Sequence, residues 1–194
     1  GLIDSFVRIQ NDGSELGYNT DHRPLGSDPV LADVNNAPGF TGKSPNFTLD
    51  KTGIDGVVYY ELWVDINENT GGIQEYLSLD QIEIYMGKDP DLYGYAGFDD
   101  GVNTVEVFNM DQDLVLGNSW LGLQYGWASG SGQGDYRFYI PEDLFAEAYD
   151  NGFVYLYLYS EFGHETSAQD VADGDSLTDT LVTGMADWTS SDGF

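Results

Sequence analysis

The stretch FVYLYLYSEFGHETSAQDVADGDS, which runs from Phe153 to Ser176, joins a strand pattern to an acidic loop. From Val154 to Tyr159, aliphatic residues alternate with tyrosines. A period of two is expected where one face of a strand meets a core and the other face carries amphipathic rings. The pattern therefore predicts a central β-strand that places Val154, Leu156 and Leu158 on the core side.

The apolar pattern stops after Ser160, and oxygen-bearing side chains follow it. A rigid strand that delivers an acidic, glycine-containing loop is a suitable frame for a calcium site. We expect Asp170, Asp173 and Asp175 to bind calcium. The side chains expected to contact a ligand here are Tyr157, Tyr159, Glu161, His164 and Gln169. The alternative is an acidic loop that is only solvated.

Length and composition indicate one folded domain. The chain has 194 residues, of which 41% are hydrophobic and 14% aromatic, so it can build a core and is not a disordered chain. Gly1 opens directly onto LIDSFVRI without a signal peptide, which predicts a segment excised from a longer protein. We expect residues 1–194 to form a single ligand-binding domain that is monomeric in isolation.

The charge balance excludes several classes of partner. Six Lys and Arg stand against 34 Asp and Glu, which gives a formal net charge of -28. Such a field repels nucleic acid and anionic lipid and destabilises the compact state unless cations neutralise it. Calcium is the expected cofactor, and a ligand that carries a carboxylate would need bound cations to receive it.

The chain contains no cysteine, so disulfides do not stabilise it. Together with the acidity, this suits a secreted, extracellular bacterial protein in a calcium-rich medium, although acidity alone also suits the cytoplasm of a halophile. No apolar run approaches the roughly 20 residues that span a bilayer, so we expect no membrane insertion.

Other alternating stretches predict further strands. They cover residues 2–9, 56–66, 77–86, 102–108, 114–127 and 136–140, with a last strand near Met185 and Trp188. The phase slips near Asp80, where a β-bulge would restore it. Residues 11–29 are rich in Asn, Asp, Gly and Pro, which predicts a loop.

One short helix is predicted at residues 141–149. Pro141 suits the first helical position, acidic residues follow in the first turn, and Asp150-Asn-Gly152 ends the pattern. Roughly eight to twelve short strands with a single helix indicate an all-β fold, a calcium-stabilised β-sandwich of the jelly-roll kind.

A second calcium loop is predicted directly after the strand at 56–66. Asp65, Asn67 and Asn69 have the D-x-N-x-N oxygen spacing of an EF-hand loop. The glycine arrives one place late and Tyr76 stands where a bidentate Glu is required, so the segment is not an EF-hand. A turn in which the Asx side chains bond their own backbone is the alternative.

Three further tracts offer oxygens or small residues. Asp99 and Asp100 lie in a turn-rich tract, and Asp111 and Asp113 form an Asp-x-Asp corner that could share a cation or be a hairpin turn. The glycine-rich tract at 128–135 contains Ser129 and Gln133, which could contact a ligand. It lacks the lysine of a phosphate-binding loop, and a flexible hairpin end is the alternative.

No residue pattern indicates catalysis. Thiol chemistry is excluded, the two histidines His22 and His164 lack a second histidine at a metal-binding interval, and no G-x-S-x-G elbow occurs. With 34 carboxylates, no particular pair can be chosen for glycoside hydrolysis. We therefore expect a protein that is not an enzyme.

Aromatic residues opposite the aliphatic ones are better candidates for function. Alternation places five rings on the outer faces of their strands: Tyr59, Trp63, Tyr155, Tyr157 and Tyr159. Exposed rings beside bound calcium are typical of sugar and peptide recognition surfaces. The alternative is that most of these rings are buried, as aromatic side chains in sandwiches usually are.

Four segments together resemble a known module. They are LSLDQIEIYMG at 77–87, GSGQGDYRFYIPEDLF at 130–145, GFVYLYLYSEFG at 152–163 and ADW at 186–188. Over about residues 45 to 190 the chain is similar to a module of secreted bacterial proteins, most of all to the peptide-binding domain of calcium-dependent RTX adhesins of marine bacteria and vibrios.

The resemblance implies a calcium-stabilised β-sandwich near the tip of an adhesin that supports cell adhesion and biofilm formation. There, bound calcium helps to capture the C-terminal carboxylate of a peptide or protein on another cell. The chief alternative is a calcium-dependent carbohydrate-binding module, in which sugar hydroxyls replace water on the cation. A purely structural spacer is a third reading and would need no aromatic pocket.

Overall fold

The computed structural model describes residues 7–9, 15–20, 22, 50–66, 76–94, 98, 100–112, 119–125, 134–163 and 186–190. Ten strands lie in this part of the chain. They are β1 (Val7–Ile9), β2 (Glu15–Tyr18), β3 (Asp50–Ile54), β4 (Val57–Ile66), β5 (Tyr76–Gly87), β6 (Thr104–Asn109), β7 (Leu121–Gln124), β8 (Tyr136–Pro141), β9 (Tyr155–Phe162) and β10 (Ala186–Ser190).

The strands form two antiparallel sheets of five. The first sheet has the order β1-β10-β4-β3, in which β3 and β10 pair with successive halves of one edge of β4. β8 pairs with the opposite edge of β4. The second sheet has the order β2-β9-β5-β6, and β7 also pairs with β5. The predicted all-β sandwich is confirmed, with β4 central in one sheet and β5 and β9 central in the other.

The core lies between the two sheets. Alternate residues of β4, β5 and β9 fill it, with less than about 5% of each side chain exposed: Leu62, Val64, Ile66, Leu77, Leu79, Ile82, Ile84, Met86, Leu156 and Leu158. The predicted core-facing alternation from Val154 to Tyr159 is confirmed for Leu156 and Leu158. It is wrong for Val154, which precedes β9 and is 54% exposed.

The predicted β-bulge near Asp80 is confirmed. The pairing of β5 with β9 shifts register between Leu79 and Gln81. Because one extra residue reverses the alternation, Leu79 and Ile82 both face the core although three positions separate them. The bulge thereby keeps twelve residues of β5 in a single strand.

The loop predicted at residues 11–29 is wrong where β2 forms. Glu15–Tyr18 pairs with β9, and the side chain of Asn19 continues the ladder: its Nδ2 donates to Leu156 O at 2.8 Å and its Oδ1 accepts from Leu158 N at 2.8 Å. Asn19 is 1% exposed. A neighbouring strand therefore imposes extended structure on a sequence with little strand preference of its own.

The hairpin between β3 and β4 turns at Asp55 and Gly56. Their φ angles are 51° and 84°, as a two-residue type I′ turn requires. The dipeptide Asp-Gly is the usual sequence signal for this turn. β3 was not among the predicted strands, although this dipeptide marks its end.

The predicted helix is confirmed as a short, two-part segment. A 3-10 turn spans Glu142–Phe145, and the α-helix α1 follows at Ala146–Asp150. Phe145 and Ala148 are buried in the core, whereas Leu144 is 43% exposed. Gly152, with φ of 81°, lies just beyond the helix end. No helix among the described residues is long and apolar enough to cross a membrane.

Candidate functional site

At the acidic end of β4, two neighbouring carboxylates accept hydrogen bonds from backbone N–H groups. Asp65 alternates with the core residues Val64 and Ile66, so it lies on the outer face of the first sheet, yet only 1% of it is exposed. Its Oδ1 accepts from Gly134 N at 3.2 Å. Asp135 Oδ2 accepts from Ile66 N at 2.8 Å. The first carboxylate of the predicted D-x-N-x-N loop is therefore buried beside a second acid.

Packing against Trp63 fixes the start of β8, and with it Asp135. Gly134 has φ of 71°, and a Cβ atom on it would lie 2.4 Å from Cε3 of Trp63, so only glycine fits there. The Arg137 guanidinium covers the other part of this ring at 4.0 Å from its centroid. Trp63 Nε1 donates to Glu61 Oε1 at 2.6 Å. These contacts hold the Asp65 end of the sheet in one geometry.

The oxygens at this end are of the kind that a hard cation binds. Asp65 and Asp135 supply carboxylates, and Asn67 and Asn69 follow Asp65 in sequence but lie outside the described residues. The register of β10 places Asp187 directly opposite Asp65. Calcium takes six to eight oxygen ligands from such carboxylate, amide and backbone groups. Within the described ranges alone, no group of three or more acidic or histidine side chains has metal-binding geometry.

Asp100 and Asp111 act as turn residues in the structure. Asp100 Oδ1 accepts from the backbone N–H groups of Val102, Asn103 and Thr104 at 2.8, 2.7 and 3.1 Å. These bonds, that of Asn103 first, hold the pKa of the Asp100 carboxyl well below its usual range. Asp111 Oδ1 accepts from Ser119 N at 2.7 Å. Both carboxylates therefore stabilise turns, and their predicted role in calcium binding stays a prediction.

The remaining predicted site residues lie outside the described residues, and their roles stay predictions. For calcium they are Asn67, Asn69, Asp99, Asp113, Asp170, Asp173 and Asp175. For ligand contact they are Ser129, Gln133, His164 and Gln169.

The outer face of the second sheet carries Tyr157, Tyr159 and Glu161 together, as alternation predicts. The expected exposure of the rings is wrong, since Tyr157 is 0% and Tyr159 6% exposed. Tyr157 Oη donates to Asp89 O and accepts from Leu92 N at 3.1 Å, so the turn after β5 covers it. Tyr157 is therefore an anchor for this turn, and both rings are buried in the structure.

The other three rings expected on outer faces are half-buried. They are Tyr59, Trp63 and Tyr155. Tyr59 packs edge-on against Tyr139 with centroids 6.3 Å apart. The first sheet therefore keeps partial aromatic surface on its outside, whereas two of the three tyrosines of β9 in the second sheet are buried.

A polar row crosses the outer face of the second sheet beside the buried tyrosines. It consists of Gln81, Glu83, Glu106, Asn109 and Glu161, which we call the carboxylate row. Tyr85 Oη donates to Glu83 and lies 3.3 Å from Glu106 Oε2. Gln81 Nε2 donates to Glu83 Oε1 at 2.8 Å and to Asn109 Oδ1 at 3.1 Å. Three half-buried carboxylates thus lie along one edge of an aromatic cluster.

Glu83, Glu106 and Asp135 were not among the predicted site residues. Alternation along LSLDQIEIYM places Glu83 opposite the core residues Ile82 and Ile84, which is a usable signal. The approach of Glu106 to Glu83 depends on the pairing of β5 with β6, which no local pattern specifies. Asp135 likewise reaches the backbone of Ile66 at the end of β4 only because β8 pairs with β4.

Burial and the neighbouring carboxylate row make Tyr159 sensitive to alkali. Burial, then the charges of Glu161 and Glu83, raise the pKa of Tyr159 above its ordinary 10.0. The folded state holds this proton more tightly than the unfolded state, so stability is full below pH 10 and falls as the pH rises further. We expect the unfolding free energy of Tyr159→Phe to decline less above pH 10 than that of the wild type.

Denaturant titrations at several pH values would measure this difference. Tyr93 is 56% exposed and supplies the control variant Tyr93→Phe, which should follow the wild-type profile. If the unfolding free energy of Tyr159→Phe also declines in parallel with that of the wild type, the raised pKa of Tyr159 does not contribute to the pH dependence of stability.

Comparisons with known proteins identify no family for this chain. No family model, no curated protein and no solved structure matches it.

Proposed function

We propose that this chain is a calcium-dependent ligand-binding module of an extracellular bacterial adhesin and has no catalytic role. The observation that carries the proposal is the carboxylate of Asp65, which is 1% exposed near the end of β4 and is followed two and four positions later by Asn67 and Asn69. A carboxylate is buried at low cost only when it is paired, hydrogen-bonded or bound to a metal. The oxygen spacing that follows favours a metal.

The net charge supports the binding of cations by this chain. Two ion pairs join described residues, Lys51 to Glu142 and Arg137 to Glu61. The six basic residues of the chain cannot neutralise 34 acids in any arrangement. Divalent cations that bind only the folded state would relieve this repulsion and stabilise the fold.

The same charge sets the chemistry of the ligand. A peptide C-terminus is a carboxylate, and a protein of charge -28 repels it unless a cation or a set of backbone donors receives it. A calcium ion held by a surface loop can keep a coordination place for such a group. The C-terminus of a peptide or protein on another cell surface is the ligand that the resemblance implies, and a bound calcium ion would make it compatible with this charge.

Peptide libraries with free and with amidated C-termini test this function directly. In calcium, we expect capture of free-acid peptides, because their carboxylate completes the coordination of the ion. Amidation or EGTA should abolish capture. Asp65→Asn should weaken it, while Asp150→Asn, which removes the same charge from the exposed end of α1, should not. Equal capture of amidated peptides would contradict carboxylate recognition.

A glycan is the second candidate ligand, and the carboxylate row favours it. Half-buried carboxylates and amides, such as Glu83, Gln81 and Asn109, are suitable partners for sugar hydroxyls. Glycan arrays run with and without EGTA separate the two candidates. Competition by a free monosaccharide, with no effect of peptide amidation, would favour the carbohydrate-binding module.

The adhesin setting comes from the resemblance of four sequence segments. Two of them correspond closely to strands: residues 77–87 lie in β5 and residues 152–163 contain β9. A third segment, at 130–145, contains β8 and the 3-10 turn. The likeness therefore falls on the elements that build the sandwich, and an extracellular adhesin module is the context that the resemblance implies.

A further inference from the structure

A groove lies between the β3–β4 hairpin and α1, at the end of β4 away from Asp65. It encloses about 380 Å³. Its walls are formed by Gly56, Val57, Val58, Glu142, Asp143, Ala146 and Tyr149. This volume is within the range of ligand pockets and is large enough for one or two side chains of a peptide.

The groove is lined by apolar side chains that remain exposed. Val57, Val58 and Tyr149 are 43%, 42% and 43% exposed. Among the described residues, six of the ten large exposed hydrophobic side chains come from the hairpin, β8 and the helical segment: Ile54, Val57, Val58, Tyr139, Leu144 and Tyr149. Concentration of exposed apolar surface in one region marks a binding site more often than scattered single residues do.

The walls of the groove are fixed before any ligand arrives. Lys51 of β3 forms an ion pair with Glu142 of the 3-10 turn. Tyr60 Oη donates to Tyr149 Oη at 3.4 Å, and the Tyr60 ring packs edge-on against Phe145 at 4.8 Å. A preformed groove binds with a small entropic cost, because few side chains have to be ordered.

The rim of the groove is acidic. Glu142 and Asp143 line it, and Asp55 directly precedes Gly56 in its wall. Lys51 is the basic residue of this region and is already paired with Glu142. Charge complementarity therefore favours a cationic occupant. A second copy of this chain is disfavoured, because each copy carries a charge of -28.

We propose that this groove docks a peptide segment that inserts an aliphatic side chain between the hairpin and Tyr149 and places flanking Lys or Arg on the acidic rim. The site is separate from the calcium end. Val57 and Ile66 are the first and last residues of β4, and a strand of ten residues is about 30 Å long at roughly 3.3 Å per residue. Docking there requires no carboxylate on the ligand.

Fluorescence anisotropy with two labelled peptides tests the proposal. The peptides are Lys-Leu-Lys-Leu-Lys and Lys-Ser-Lys-Ser-Lys, both acetylated and amidated, and calcium is present throughout. The amide removes the terminal carboxylate, so capture at the calcium end does not contribute. We expect the leucine peptide to bind at least about tenfold more tightly than the serine peptide, because burial of one aliphatic side chain supplies that factor.

Variants locate the binding surface. Val57→Ser with Val58→Ser should reduce the affinity for the leucine peptide to that for the serine peptide. Val154→Ser, at a valine 54% exposed outside the groove, is the matched control and should leave it unchanged. Asp143→Asn, at an exposed helical position, should weaken binding of both peptides a few-fold. Circular dichroism spectra of all variants check that they are folded.

Three outcomes would overturn the proposal. Equal affinity for the two peptides would show that they bind only by non-specific attraction to the negative charge of the protein. Unchanged binding by the double valine variant would place the peptide elsewhere. Self-association that the double valine variant abolishes, measured by light scattering, would make a second copy the occupant. None of these results depends on calcium-mediated capture of a carboxylate.

Discussion

Replacing Leu158 with alanine is expected to lower the free energy of unfolding by about 3 kcal/mol, within the range of roughly 2–5 for buried leucines. Leu158 is 0% exposed and lies in the middle of β9, between β2 and β5. The substitution removes buried methyl groups and leaves a cavity that strands paired on both edges cannot close. Urea denaturation measures the change.

Val154→Ala is the matched control for this prediction. The sequence pattern assigns Val154 to the same face as Leu158, whereas the structure leaves it 54% exposed before β9 begins. Its truncation should therefore change stability by no more than about 0.5 kcal/mol. If both substitutions destabilise the protein equally, the position of Val154 in this fold is wrong.

Removal of calcium is expected to lower the melting temperature by roughly 5–10 °C for each site that was saturated at about a hundred times its dissociation constant. Binding of that strength to the folded state alone contributes about 2.7 kcal/mol, and for a chain of this length each kcal/mol corresponds to about 2–4 °C. Differential scanning calorimetry with calcium and with EGTA measures the difference.

Magnesium is the control in that experiment, because it distinguishes a specific calcium site from general screening of the negative charge. Any divalent ion reduces the self-repulsion of 28 net negative charges, but magnesium requires a tighter octahedral geometry than a flexible loop supplies. Calcium should therefore stabilise the fold more than the same concentration of magnesium. Equal stabilisation by the two ions would show that calcium acts only by screening the charge.

The strands with strong alternation could be predicted from sequence because a period of two reports directly which face is buried. β4, β5 and β9 agree with that pattern, and the slip at Asp80 agrees with the register shift. Even the helical segment follows from local signals, namely Pro141 and the glycine at its end. In these stretches local preference and tertiary packing favour the same structure.

β2 and the buried tyrosines could not be predicted in this way. Glu15–Tyr18 is a strand because β9 offers it an edge, and Asn19 extends the ladder with its side chain. Tyr157 belongs to an outer face by periodicity, but the backbone of Asp89 and Leu92 covers it. Neither feature is encoded in the local sequence, since each depends on a segment distant in the chain.

In the candidate site, too, some features could be predicted from sequence and others could not. The position of Asp65 at the end of a strand, followed by Asn67 and Asn69, was readable from spacing. Its burial beside Asp135 was not, because β8 reaches β4 only through sheet formation. Acidic residues are so frequent here that the sequence singles out few of them, and Asp100 and Asp111 serve as turn residues.

Calorimetric titration of calcium into chelator-treated protein tests the role of Asp65 most directly. The wild type and Asp150→Asn should bind calcium with the same stoichiometry and affinity. Asp65→Asn should lose one site or bind at least about tenfold more weakly, since it removes a carboxylate ligand from a hard cation. Identical isotherms for all three proteins, or no binding by the wild type, would contradict a calcium site at the end of β4.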